Sequence, residues 1–250
     1  MTSIEISEER GVRYLHFGSP WVQGAMRIAR PWALELEYTR EMMMPLLMRS
    51  DSEWPGNVLQ LGLGSASITK FLYRHRPRAR ITAVEILPGV VAAARQFFKL
   101  PDDSERLHIE IGDGFDYVAS KKRRFDFIVV DAFDDNGHSG MLDTVPFYLH
   151  CHERLTRRGM MAINLLSRRR GVAPSAERMR TAFGDRVLVL PPSGPGNTVA
   201  LIAAGEPIEE SFEELRASAL KLKAESGLDL RPTLAGLVQA RGGTAEALAL

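Results

Sequence analysis

Short apolar runs in this chain end in residues that can bind or do chemistry. Val58-Leu59-Gln60-Leu61 runs into Gly62-Leu63-Gly64-Ser65-Ala66-Ser67, and Arg80 to Val84 runs into Glu85. Leu107 to Ile111 is followed by Gly112-Asp113-Gly114, and Phe125 to Val130 by Asp131-Ala132-Phe133-Asp134. Glycines after a strand let the backbone approach a ligand, and the helix that follows presents free N–H groups. A tight strand-to-helix turn has the same composition, so the glycines alone decide nothing. Glu85 adds the missing element. It lies about 20 residues beyond the glycines, where an acid accepts both ribose hydroxyls of a nucleoside.

Two nucleoside classes share that arrangement. A dinucleotide site calls for Gly-x-Gly-x-x-Gly, and here the last position is Ser67. A sulfonium nucleoside of the S-adenosylmethionine type adds an acid after the third strand, beside the adenine, and Asp113 supplies it. The third acid favours the sulfonium class. Asp131 and Asp134 then stand where the ligand crevice of an open α/β sheet lies, and together they suit a cationic amine. Turn chemistry alone accounts for Asp135-Asn136-Gly137, but not for an acid immediately after a buried strand.

The elements that must position these residues are legible from the pattern. From Asn57 the chain alternates apolar runs with amphipathic stretches at Ser67–Arg74, Pro88–Lys99, Phe115–Ser120 and Pro146–Leu155, with a further strand at Met160–Leu165. This rhythm predicts an α/β fold of Rossmann-like, doubly wound type with a mostly parallel sheet. Arg186–Leu190 and Thr198–Ala203 predict an antiparallel C-terminal hairpin closing that sheet. Ile4–Ile6 and Val12–Phe17 predict a short N-terminal β-hairpin, with another strand at Trp21–Ile28. Leu34–Met48 reads as helix broken near Pro45, and Pro207–Glu225 as the last amphipathic helix. The expected organisation is a β extension over residues 1–30, a nucleoside-binding catalytic domain over 31–225, and a loosely held tail over 226–250.

Composition sets outer bounds. The chain has 250 residues, 45% hydrophobic and 25% charged, with 32 Lys+Arg against 31 Asp+Glu and a formal net charge of +1. These fractions exclude disorder and collagen-like repeats, and the charge gives no global case for nucleic acid or an anionic membrane. One cysteine, Cys151, cannot form an intramolecular disulfide, which suits a reducing compartment. The longest uncharged run, Val187 to Gly205, is broken by Pro191, Pro192, Gly194, Pro195 and Gly196, so it cannot span a bilayer as a helix. The N-terminus lacks a basic start and an apolar stretch, and the expected setting is cytoplasmic.

Taken together, these residues resemble the spermidine synthase (polyamine aminopropyltransferase) family, within the class I S-adenosylmethionine-dependent methyltransferase fold. The likeness runs from about Trp21 to Ala204. Gly62-Leu63-Gly64 resembles that family's glycine loop, Val84-Glu85-Ile86 its ribose-binding acid, and Ile111-Gly112-Asp113-Gly114-Phe115 its adenine-side motif. Asp131-Ala132-Phe133-Asp134 resembles its catalytic Asp-x-x-Asp loop. Val22-Gln23 and Tyr38-Thr39-Arg40-Glu41-Met42 resemble its glutamine and the tyrosine-bearing helix of the substrate channel.

The resemblance implies attack by a polyamine nitrogen on the aminopropyl carbon of decarboxylated S-adenosylmethionine, with no metal. Asp131 would orient or deprotonate the amine, and Asp134, Tyr38 and Gln23 would bind it. Gly62, Gly64, Ser65, Glu85, Ile86, Asp113 and Gly114 would hold the nucleoside. The implied partner is a small cationic amine, with no nucleic acid and no membrane, and the implied assembly is a homodimer. The chain departs from the family pattern at Ser65, where an acid pairs with the aminopropyl ammonium, at Ala66, where a glycine is usual, and at Asp135, where a proline is usual. Ser65 leaves open a small-molecule methyltransferase using intact S-adenosylmethionine, or a non-catalytic nucleoside-binding or dimerisation module.

Other conspicuous residues have plainer readings. His150-Cys151-His152 is expected to pack, since residues two apart on a helix share no face for a metal. Lys121-Lys122-Arg123-Arg124 and Arg168-Arg169-Arg170 read as solvated loops, and Met42-Met43-Met44 as core filling. His138 stands close enough in sequence to Asp134 to reach the site.

Overall fold

The computed structural model describes residues 3–19, 21–120, 122–134, 137–166, 171–194, 196–240, 242 and 246–250. Its N-terminal part is an antiparallel sheet of β1 (Ile4–Glu9), β2 (Val12–Phe17) and β3 (Val22–Arg27), in that order. The expected hairpin is present, with Arg10 and Gly11 both at positive φ in its turn, and β3 is the further strand expected at Trp21–Ile28. Two short helices follow, α1 (Glu37–Glu41) and α2 (Pro45–Met48). Pro45 opens the second, where its missing N–H costs nothing. Met42, Met43 and Met44 between them are fully buried.

The alternating rhythm is realised as β4 (Asn57–Leu61), α3 (Ser67–His75), β5 (Arg80–Glu85), α4 (Pro88–Phe98), β6 (Leu107–Ile111), α5 (Gly114–Ser120) and β7 (Phe125–Val130). A 3₁₀ turn over Gly140–Asp143 leads to α6 (Val145–Arg154) and β8 (Leu155–Leu166). Then come α7 (Ala173–Phe183), β9 (Val187–Val189) and β10 (Asn197–Ala203). The seven-stranded sheet has the order β6-β5-β4-β7-β8-β10-β9. β4 through β8 pair in parallel, while β10 runs antiparallel to both β8 and β9.

Strand periodicity sends alternate residues to opposite faces, and each face has its own core. Val58, Phe127, Val129 and Met160 pack with α3, α4 and the α1–α2 segment, whereas Leu59, Ile128, Val130 and Met161 pack with α5, α6 and α7. Both faces are covered, which explains the near-continuous apolar strands. The chain ends with β11 (Glu209–Ser211), α8 (Phe212–Ser226), α9 (Arg231–Ala240) and β12 (Ala247–Ala249). α8 begins with a capping box between Ser211 and Glu214 and stops at Gly227 with φ 76°.

Two expectations differ from this. Residues 173–183 had no assigned element and form α7. The region after Ser226 is no loose tail: Leu228, Leu230, Leu234, Leu237 and Leu248 are buried in the first core, and β12 pairs with β11. Among the described residues no helix is long and apolar enough to cross a membrane.

Candidate active site

Strand order places the site. The chain leaves β4 toward β5 and β6 on one side, then returns to place β7 on the other side of β4. Between the C-terminal ends of β4 and β7 the connections diverge and leave a crevice. Gly62 and Asp131 stand at this point. Asp131 N–H donates to the Leu61 carbonyl at 2.9 Å, and Gly62 N–H donates to the Val84 carbonyl at 2.9 Å. Gly62 has φ 85°, and a Cβ there would lie 2.2 Å from the Asp131 carbonyl oxygen. Only glycine allows the turn after β4 and the loop after β7 to approach this closely.

Glu85 closes β5 and is 7% exposed. Its Oε2 accepts from the Leu63 N–H at 2.8 Å and its Oε1 from the Leu87 N–H at 3.0 Å. Burial pushes its pKa up, while the backbone donors of Leu63, Leu87, Gly64 and Ile86 pull it down. A carboxylate offers about four lone-pair sites, so each oxygen keeps capacity for a hydroxyl. Asp113 caps α5, its Oδ1 accepting from Phe115 N–H at 2.7 Å and Asp116 N–H at 3.1 Å. Ile86 projects beside it, 59% exposed, an apolar surface on which a flat base can lie.

Asp131 is held from two sides. The Tyr38 hydroxyl, on α1, donates to its Oδ2 at 3.1 Å, and Asn164 Nδ2, on β8, donates to its Oδ1 at 3.0 Å. Burial raises the Asp131 pKa against the opposing effect of both donors. Burial and the neighbouring carboxylate push Tyr38 well above its ordinary value, keeping it a neutral donor. Asn164 is 3% exposed, and its Oδ1 is buried without a hydrogen-bond partner among the described residues.

These side chains surround a cavity of about 150 Å³. Gln23, Tyr38, Gly62, Gly64 and Asp131 line it, together with Glu85, Ile86, Asp113 and Gly114. Trp21, Phe133, Leu142 and Asn164 also line it and stand outside the sequence-derived set. The signal for Asn164 was present as a lone amide inside the apolar run Met160–Leu165. A larger cleft of about 960 Å³ adjoins it, sharing Trp21, Phe133, Gly137 and Leu166 as wall.

Ser65 and Asp134 are placed differently from the others. Ser65 is buried beneath β3, where its hydroxyl lies 2.9 Å from that of Ser67, which donates to the Ala25 carbonyl at 2.9 Å. Asp134 is tied to its own loop: its Oδ1 accepts from His138 N–H at 2.7 Å, and its Oδ2 lies 3.3 Å from His138 Nδ1. His138 lines the adjoining cleft rather than the cavity. Asp135 and Asn136 lie outside the described residues.

The conspicuous residues set aside earlier have local partners. Cys151 is buried with its thiol pKa pushed up, while His150 packs on Phe115 and His152 on Phe183. Arg123 stacks on Phe125 and donates to Asn57 Oδ1 at 2.6 Å. Lys121 and Arg168–Arg170 lie outside the described residues.

Comparison with known proteins gives the family and the fold. Residues 36–165 match the family described as Spermine/spermidine synthase domain. The chain is 36% identical to a polyamine aminopropyltransferase of Neisseria meningitidis serogroup A, over 94% of this chain and 88% of that protein. It is 35% identical to the enzyme of the same name from Chromobacterium violaceum, over 98% of this chain and 93% of that one. Among solved structures, a probable spermidine synthase from Corynebacterium glutamicum superposes with a TM-score of 0.74 at 21% identity, covering 94% of this chain and 91% of that chain. Human methyltransferase-like protein 13 superposes with a TM-score of 0.68 at 24% identity, covering 76% and 92%, and shows the shared fold. With the family profile matching more than half of the chain and full-length relatives agreeing, this protein belongs to the spermine/spermidine synthase family.

Proposed function

We propose that this enzyme transfers an aminopropyl group from decarboxylated S-adenosylmethionine to the nitrogen of a polyamine, releasing methylthioadenosine. The observation that carries the reading is the carboxylate of Asp131, half-buried at the sheet's switch point and held by Tyr38 and Asn164 on the wall of the cavity. The co-substrate supplies a sulfonium carbon whose C–S bond breaks as the N–C bond forms, the electron pair leaving on a neutral thioether.

The chain's own residues do the rest. Glu85 and Asp113 hold the ribose and the base, and Gly62 and Gly64 leave room for the nucleoside against the backbone. Ile86 and Gly114 bound the adenine side. Asp131 accepts the proton of the attacking ammonium, and its raised pKa brings its basicity closer to that of the amine. Tyr38 and Asn164 fix the carboxylate so that proton transfer needs no side-chain search. Gln23, which lines the cavity, binds the amine. Asp134 works at a distance, as negative charge on the loop beside the entrance, and Ser65 works by pinning the glycine turn to β3.

The acceptor is a small cationic amine drawn by the acidic wall. The adjoining cleft provides the length an extended amine needs. We place the enzyme in the cytoplasm as a homodimer, as the family likeness implies; light scattering on the purified protein checks the assembly. Calorimetric titration separates the co-substrates. Tighter binding of the decarboxylated form than of S-adenosylmethionine is expected, and the reverse preference would favour methyl transfer.

A further inference from the structure

We infer that Asn164 is an acceptor-binding residue, its free Oδ1 taking an N–H of the attacking amine while its Nδ2 holds Asp131. The inference rests on the aminopropyl-transfer reading and adds a residue to it.

The register makes the pair inevitable. Val130 on β7 stands opposite Ile163 on β8, so the next residues along the two parallel strands, Asp131 and Asn164, emerge side by side at the same sheet edge. Asn164 is flanked by buried Ile163 and Leu165 and faces buried Val199 on β10. A polar side chain in this setting must satisfy both of its ends. Its amide nitrogen does so on Asp131 Oδ1 at 3.0 Å, but its Oδ1, buried on a residue that lines the cavity, has no partner among the described residues.

The orientation of the amide follows from its neighbour. An ionised Asp131 only accepts hydrogen bonds, so the NH₂ end must face it and the carbonyl end must face away. The group that completes the site therefore has to be a hydrogen-bond donor next to Asp131. A nucleoside thioether offers none at its sulfur; a primary amine does. With one proton transferred to Asp131, the neutral amine keeps two N–H bonds. One directed at Asn164 Oδ1 leaves the nitrogen lone pair aimed at the sulfonium carbon. The N–C bond forms, the C–S bond breaks with its electron pair on sulfur, the product nitrogen remains an ammonium, and the proton taken up by Asp131 leaves to solvent.

Steady-state kinetics on Asn164→Leu and Asn164→Asp tests this, together with titration of the amine into enzyme saturated with methylthioadenosine. For Asn164→Leu, kcat/KM for the amine should fall about 100-fold, within the range for a group that positions a reactant, with the affinity for methylthioadenosine unchanged. The acid limb of its pH profile should move upward, because the Asp131 carboxylate loses a donor. Asn164→Asp keeps an acceptor oxygen and the shape, so its amine affinity should stay near wild type while the second carboxylate moves the limb further upward. That variant also serves if Asn164→Leu does not fold. The inference is overturned if Asn164→Leu retains amine kcat/KM within twofold of wild type, or if its defect lies in nucleoside affinity. An unmoved acid limb in Asn164→Asp also overturns it. Wild-type enzyme that binds methylthioadenosine but turns over no amine overturns the underlying reading instead.

Discussion

A carboxylate that takes a proton from an amine works better when it is less acidic than usual, and burial gives Asp131 that property. Asp131→Asn keeps the shape and removes the base. Turnover, followed as methylthioadenosine release, should fall by 10²–10⁴-fold, roughly the worth of a positioned general base; near-normal turnover would remove Asp131 from the reaction. In the wild type the acid limb of the rate profile should lie above the ordinary carboxylate range. Asp131, Glu85 and Asp113 are legible as acids that follow strands, since position after a strand fixes where a side chain emerges, whereas Tyr38 comes only from the family resemblance. Asp134 was readable as an acid near the site but not as a loop tie, because its pairing with His138 depends on the path of the loop. Asn164 was passed over because one amide in an apolar strand carries no motif; only its orphaned oxygen reveals a use.

At the scale of elements, the contact between the turns after β4 and β7 is the most demanding. Gly62→Ala would add a Cβ 2.2 Å from the Asp131 carbonyl at φ 85°. The left-handed backbone alone costs about 1–2 kcal/mol for a non-glycine residue. Thermal unfolding should show at least that loss, with activity falling further than stability because Asp131 is displaced. On α3, Lys70 is fully buried, its Nζ donates to the Phe98 carbonyl at 2.6 Å, and burial with help from Lys99 lowers its pKa to about 7.

The unfolded chain therefore binds more protons than the folded one between about pH 7 and the ordinary lysine value, and stability should rise across that window. Lys70→Met should flatten this rise in denaturant titrations at pH 7 and pH 9; an unchanged slope would contradict the account. The central strands and their helices were legible because apolar runs and proline or glycine punctuation agree there. The C-terminal end was not, since Gly and Ala mask a leucine stripe whose partner is distant in sequence. Leu248, fully buried on β12, ties that end to the core. Leu248→Ala should cost about 2 kcal/mol or more of unfolding free energy without changing nucleoside affinity.

Over the whole molecule, 32 basic and 31 acidic residues nearly cancel, yet the cavity is lined by Glu85, Asp113 and Asp131. A neutral total thus conceals a local field suited to a cationic nucleoside and a cationic amine. Human methyltransferase-like protein 13 shares this fold with the chain, and a fold alone does not select the group that moves. On the proposed reading, the pairing of a half-buried, tyrosine- and asparagine-held carboxylate with the acids of the cavity selects it. The decisive measurement is product analysis by mass spectrometry after incubation with a diamine and either decarboxylated or intact S-adenosylmethionine. The account predicts methylthioadenosine and a diamine lengthened by one aminopropyl group, in equal amounts, from the decarboxylated form only. S-adenosylhomocysteine and a methylated product from the intact form, with no reaction of the decarboxylated one, would contradict it.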